Sequence, residues 1–477
     1  MPDTGRWLRP ALAVVGAVTL LRIAALAFDR TDLFVDESQY WLWGQRLDFG
    51  YYSKPPLIAW LIRGVTELAG SETPFWVRMP GSVLHGATAL ILGALAARLF
   101  SARAAIWVAV AYVTVPFASL GSLLMSTDTV MAPFFAAALY FWFRAVDEGH
   151  AGTALAAGVA CGLGFLAKYA AVYFLLGAGL AAVAVPHMRA PVRLWLMLLA
   201  GFAATVSPNV IWNLTHDLTT VEHTMDNVGW VRDSGGTSIN PAGLAEFFLS
   251  QFAVFGPVLF GVLVWLWMRP GTPRLRALTA FSAPVLLLVC GQALLSRAYA
   301  NWAVATYFAG SLIAVPWLLD RFPRLLRASF VANGLIALAL PALTVLAPWP
   351  APGGKPLLAR YLGRADLSHE IIALAQKSGV GVVMAAEREV LADLFYTGSG
   401  SGLVFRAPAP DGRPRSYYEQ NFAVSSADGP VLAVLRQPPI CNGFEQLPVA
   451  ELHPADAYAG RSYGAYLIGG DCAAKLR

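Results

Sequence analysis

Charge is what this sequence has least of. Asp, Glu, Lys and Arg make up 13% of its 477 residues, while 57% are hydrophobic and the mean hydropathy is +0.57. Soluble domains carry about 25% charged residues, so this composition belongs to a membrane protein. Lysine is scarcer still, at five of the 34 basic residues. The net charge of +5 and pI near 9.0 therefore come from arginine. Most of that surplus sits in short connections between apolar runs, where it orients helices, so no nucleic-acid partner is implied. Four cysteines, with no C-x-x-C and no His/Cys cluster at zinc spacing, argue against a structural metal site. No solenoid-period repeat and no duplicated half is present. Gly158-x-x-x-Gly162-x-Gly164 has no βαβ context. It reads as a helix-packing face rather than a dinucleotide loop.

Long apolar runs are what the chain has in abundance. They fall near 10–28, 79–99, 104–121, 129–145, 152–167, 169–186, 194–213, 247–267, 277–295, 300–319 and 328–347. Runs of about 20 residues are the unit a bilayer requires, which predicts about eleven transmembrane helices. Arg6, Arg9 and the run ending at Ala25-Leu26-Ala27 have the look of a signal peptide, but the run is long enough to span and reads as an uncleaved anchor. With the N-terminus inside, Arg98, Arg103, Arg144, Arg189, Arg193, Arg269, Arg274, Arg276, Arg321, Arg324 and Arg327 all fall in inner loops, as the positive-inside rule demands. A charge at bilayer depth is costly, so Lys168 marks a turn that divides 152–186 into two spans.

This orientation puts three segments outside: the loop 29–78, the loop 214–246, and everything after Pro348. Residues 36–47 and 57–69 of the first loop read as helices lying along the membrane surface, their Trp and Tyr suited to the interfacial layer. His216, Asp217 and His223 read as an ordinary polar loop. From about 350 the pattern alternates: a helix near 368–378, the strand GVGVVMAA, a helix near 387–396, and the strand GPVLAVLR. That is an α/β domain large enough to fold by itself. Cys161 and Cys290 are packing residues within apolar runs, while Cys441 and Cys472 are able to pair if that domain meets an oxidising compartment.

The outer face carries the chemistry. Asp36-Glu37 supplies an acid pair for a general base and its electrostatic partner, or else a charge that suits a helix N-terminus. Lys54, fixed before Pro55-Pro56, suits an anion, and otherwise snorkels to headgroups. Asp128 reads either as an N-cap or as a second acid facing the same cavity. Lys168 and Arg297, at span ends, read either as phosphate ligands or as interface anchors.

These motifs, DESQYWLWGQRLDFGYYSKPPLIAWLI, SLLMSTDTVMAPFFAAALYFW, GLGFLAKYAAVYFLL and SRAYANWAVATYF, together resemble the GT-C class of polyprenyl-phosphate-sugar-dependent glycosyltransferases. They are most similar to the bacterial branch of protein O-mannosyltransferase-like and aminoarabinose lipid A transferase-like enzymes. The resemblance covers roughly 10–320 and implies a transmembrane catalytic domain, 1–347, with the periplasmic loop 29–78; the α/β alternation after it makes a second, periplasmic domain, 348–477. It implies an enzyme of the bacterial inner membrane, with its active site and C-terminal domain periplasmic. The reaction it implies moves a sugar, with inversion, from a polyprenyl-phosphate donor to lipid A, lipopolysaccharide core or another envelope glycolipid. A protein acceptor is the alternative, and a lipid or sugar transporter is the rival of another class.

The resemblance gives Asp36 and Glu37 the catalytic acid pair and Lys54 the donor phosphate, with Arg297 and Lys168 as further phosphate ligands. It also implies a substrate cavity lined by Asp128, Tyr40, Tyr52, Tyr169 and Asn301. No cofactor is required by this chemistry; a divalent metal is left open. At Ser53 the chain departs from the aminoarabinose enzymes, which tend to carry an acid there, so neither their sugar nor their metal contact carries over.

Overall fold

The computed structural model describes residues 6–227, 239–269, 271–351 and 354–476. Each expected apolar run falls on a helix or a pair of helices. Among the described residues, six helices are long and apolar enough to cross a membrane: Leu8–Leu26, Pro74–Leu99, Thr127–Glu148, Val192–Thr215, Pro273–Leu295 and Pro323–Val345. The other runs are shorter or broken, as in Ala102–Thr114 followed by Pro116–Gly121, and Ala151–Ala167 followed by the turn Tyr169–Val172. Of the loop 214–246, residues 228–238 lie outside the described residues.

One expected span is broken rather than continuous. The run 247–267 is two helices, Pro241–Phe255 and Pro257–Trp267, bent by 118°. The cause is local. Gly256 has φ +91°, a conformation that glycine tolerates, and Pro257 begins the second helix without an N–H to give to the first. A Cβ at Gly256 would lie 2.3 Å from the Asn333 side chain, so a larger residue is shut out.

The chain divides into two units, 1–27 with 48–61 and 78–342, and 28–47 with 62–77 and 343–477. In the first unit, helices Ala151–Ala167 and Val192–Thr215 press backbone to backbone. A Cβ at Gly158 would lie 2.0 Å from the Leu198 carbonyl oxygen, and one at Gly201 would lie 2.5 Å from that of Leu155. The glycine pattern thus serves helix packing, as the spacing predicts. Arg22, buried in the first helix, donates to the hydroxyls of Ser119 and Ser122 and to the Val113 carbonyl, which removes the cost of an unpartnered intramembrane cation.

The second unit is the α/β domain together with two pieces of the first loop. Its strands are β1 (Val382–Ala385), β2 (Val404–Arg406), β3 (Val431–Leu435), β4 (Ile440–Cys441), β5 (Phe444–Glu445), β6 (Ala450–Leu452) and β7 (Tyr463–Ile468). A five-stranded sheet runs β2-β1-β3-β7-β6. β1 pairs in parallel with β2 and β3, and β7 is antiparallel to β3 and β6. Its helices Arg364–Lys377 and Arg388–Thr397 fall where the alternation predicts them. Cys441 and Cys472 form a disulfide. The helix expected at 36–47 spans Val35–Gly44. Its aromatics, expected in the interfacial layer, are instead buried against protein. Trp41 meets the edge of Tyr396 at 5.0 Å and Trp43 that of Tyr417 at 5.8 Å. Packing against a protein face buries more ring area than an interfacial position does, so the helix is held there.

Candidate active site

In the first unit the site is built on breaks between helices. Ser126, extended, accepts from the Thr129 N–H at 3.2 Å and so is the N-cap of Thr127–Glu148. Asp128 is therefore not the cap. It sits in the first turn, where the helix dipole favours a carboxylate and its side chain is directed away from the helix's own amides. Helix Ala151–Ala167 ends at Lys168, whose extended backbone (φ −154°, ψ 130°) turns the side chain out of the helical row. Its ammonium donates to both Asp128 oxygens, at 2.7 and 2.8 Å. Asn301, on the turn Ala300–Ala303, donates to Asp128 Oδ2 at 2.8 Å. The Lys168 and Asp128 side chains keep 17% and 11% exposure, so a ligand can still reach them. Three of the expected residues are thus brought together, with Lys168 lying 40 positions and Asn301 173 positions from Asp128.

A second set of bonds seats the Lys54 loop. Tyr169 donates to Asn209 at 3.2 Å and accepts from Asn213 at 3.3 Å. Asn209 donates to the Phe49 carbonyl at 2.7 Å, and Thr220 to that of Tyr51 at 2.6 Å. Tyr52 packs edge-on to His223 at 4.9 Å. Within the loop, Tyr51 N–H donates to the Lys54 carbonyl at 3.2 Å, and Gly50 lies so close to Trp212 that a Cβ would fall 2.3 Å from the ring. Tyr169, next to Lys168, is therefore tied through Asn209 to the loop that bears Lys54. These are the only lysines before residue 350. Arg297 is exposed beyond the end of Pro273–Leu295 and joins neither set of bonds among the described residues.

The acid pair belongs to the second unit. Glu37 is buried, and its Oε2 accepts from the Phe34 N–H at 2.9 Å, which closes the N-terminus of Val35–Gly44. Asp36, one position earlier and turned by about 100°, points elsewhere. Its Oδ1 accepts from Arg388 at 2.5 Å, and Arg388 Nε donates to Gln39 Oε1 at 2.9 Å. Tyr40 is buried and packs on Trp43 at 5.3 Å, so it supports the helix that carries Asp36. Sequence reading missed Arg388 because no local pattern marks it; it lies 352 positions from its partner. Asn209 and Asn213 were legible in principle, as two amides one turn apart on an apolar helix. Among the described residues no group of His, Cys, Asp and Glu is arranged to hold a metal.

Comparison with known proteins gives this arrangement its context. The family described as dolichyl-phosphate-mannose-protein mannosyltransferase matches residues 53–212. The chain is 39% identical over 473 residues to lipid A galacturonosyltransferase RgtD of Rhizobium johnstonii, across 98% of this chain and 99% of that one. Its fold is similar to that of ArnT from Cupriavidus metallidurans bound to undecaprenyl phosphate, with TM-score 0.61, 16% identity, and coverage of 95% of this chain and 97% of that one. The apo state of ArnT gives TM-score 0.56 and 14% identity, over 98% and 99% of the two chains. With 39% identity along nearly the full length of both sequences, the chain is a multi-pass membrane protein that belongs to the GT-C polyprenyl-phosphate-sugar-dependent glycosyltransferases.

Proposed function

We propose that this enzyme transfers a galacturonosyl residue from a polyprenyl-phosphate carrier to lipid A, on the periplasmic side of a bacterial inner membrane. The observation that carries this reading is the identity to a lipid A galacturonosyltransferase across 98% of the chain. The mannosyltransferase family match covers only 53–212, so it supports the donor class more than a protein acceptor. Ser53, where the aminoarabinose enzymes tend to carry an acid, agrees with a different sugar.

The residues suit the chemistry. The acceptor oxygen attacks the anomeric carbon as the bond from that carbon to the phosphate oxygen breaks, and polyprenyl phosphate leaves with the electron pair. Cations offset the charge that grows on the leaving phosphate, the role proposed for Lys54, Lys168 and Arg297. Asp128 and Asn301 hold Lys168 ready for that role. Asp36 takes the proton of an acceptor hydroxyl, an effect typically worth about 10²–10⁴ in rate. Glu37, engaged with its own helix end, fixes the segment on which Asp36 sits. The arginine-rich connections support an inside N-terminus and an outside C-terminal domain, with the shorter apolar helices and the bent pair Pro241–Phe255 and Pro257–Trp267 also crossing for a total of eleven.

The test is product identity. Purified enzyme is supplied with polyprenyl-phosphate galacturonate or polyprenyl-phosphate aminoarabinose, and with lipid A or a Ser/Thr-rich peptide, and products are read by mass spectrometry. Galacturonate on lipid A is the expected product. Transfer of aminoarabinose alone, or to peptide alone, overturns the proposal.

A further inference from the structure

Arg388 is anchored more heavily than an ordinary surface arginine. Asp36 and Gln39 are three positions apart on one helix face, and the guanidinium bridges them, with NH2 on Asp36 Oδ1 and Nε on Gln39 Oε1. Gln39 is buried, so its amide oxygen is committed to this bond. Arg388 begins the helix Arg388–Thr397, and the far end of that helix is fixed by Tyr396, whose ring packs on Trp41 and whose hydroxyl donates to the Glu72 carbonyl at 2.7 Å.

Stability does not account for this construction. The Asp36 and Arg388 side chains are 47% and 44% exposed, and ion pairs so exposed add little to folding. Geometry does account for it. A carboxylate on a single χ1/χ2 pair rotates unless one oxygen is held, and a base that rotates is out of line for much of the time. With Oδ1 held, Oδ2 accepts from no described residue and keeps one direction. The bond to Oδ1 also survives the reaction: after Oδ2 has taken a proton, Oδ1 remains an acceptor for the same N–H.

We propose that Arg388 is the positioning residue of the catalytic base, fixing Asp36 by Oδ1 so that Oδ2 receives the acceptor's proton. The proposal rests on the reading of Asp36 as base. It is tested with full-length enzyme, polyprenyl-phosphate galacturonate as donor and lipid A as acceptor, by measuring kcat and donor KM. R388A is expected to lower kcat about 10- to 100-fold with donor KM changed less than twofold, the scale of a misplaced catalytic group. R388Q is expected to recover part of the loss, because its amide can still donate to Asp36. On a D36N background, R388A is expected to cost nothing further, since a positioning residue has no effect once the group it positions is gone.

Losses that multiply in the double variant overturn the proposal, as does a rise in donor KM at unchanged kcat, which would make Arg388 a donor ligand. Wild-type turnover by D36N removes the reading of Asp36 itself, and the proposal with it. Wild-type turnover by R388A beside an inactive D36N overturns the positioning role alone. R436Q, which breaks the Arg436–Glu387 pair in the same domain, is the folding control and is expected to leave kcat unchanged. If R388A melts early, R388Q carries the comparison with D36N.

Discussion

Asp128 illustrates how a residue's neighbours decide its role. It sits where a helix dipole favours a carboxylate, yet its oxygens serve Lys168 and Asn301. Taking one partner from a nearly buried ion pair leaves the other charge uncompensated, at a cost of about 3–5 kcal/mol. Lys168→Met is therefore expected to lower the melting temperature of the purified protein, and Lys168→Met with Asp128→Leu to recover much of it. A double variant as unstable as the single one would show that the uncompensated Asp128 charge is not the cause of the loss. Asp393, in the α/β domain, shows a second effect of burial. Desolvation raises its pKa from 3.8 to about 6, although the Ser368 and Thr397 hydroxyls donate to it and pull the other way. The folded state thus keeps a proton that the unfolded chain has released. Its contribution to stability is fully present below about pH 4 and is lost as pH rises through about 6, by roughly 3 kcal/mol. Melting temperatures between pH 4 and 7 should fall across that window in the wild type and change less in Asp393→Asn. Equal slopes would contradict the assignment.

At the scale of elements, loops and helix ends carry the site, and glycines set how closely they approach. Gly50 lets the Lys54 loop lie against Trp212, where a Cβ would fall 2.3 Å from a ring carbon. The indole is too rigid to yield at its edge, so Gly50→Ala must push the loop off its seat on Asn209 and Thr220. If Lys54 holds the donor phosphate, donor affinity should drop roughly 10- to 100-fold, the loss of one charge-assisted bond, while the melting temperature changes by only a few degrees. Unchanged donor KM would detach this loop from donor binding. The helix Val35–Gly44 teaches a related lesson. Its aromatic spacing predicts a helix correctly, but the same rings suit a membrane interface and a protein face equally well, and only the helix Arg388–Thr397 settles which.

For the whole molecule, the disulfide is the feature that ties sequence-distant parts of one unit. Cys441 on β4 and Cys472 on the helix Gly470–Ala473 close a loop of 31 positions, and the cluster around Met384, Val431, Ala433, Tyr466 and Ile468 packs beside it. A cross-link of that span constrains the unfolded chain by about 3–4 kcal/mol. Reduction, or Cys472→Ser, should lower the unfolding temperature of the α/β unit; an unchanged transition would mean that the core alone holds this corner. The bond also implies an oxidising compartment, which agrees with the outside location proposed for the domain.

Composition and periodicity alone determined that this is a membrane protein with an α/β appendage, because hydrophobic runs and charge asymmetry are local quantities that a bilayer reads directly. The order of the motifs at Asp36, Lys54, Asp128 and Lys168 was enough for the family. Neither the bend at Gly256, nor the capture of Asp128 by Lys168 and Asn301, nor the Arg388 clamp on Asp36 was legible there. Each depends on groups 40 to 352 positions apart meeting within hydrogen-bond distance, or on a side chain such as Asn333 filling the space beside a glycine. Such meetings are decided by packing, and no window of sequence contains both partners.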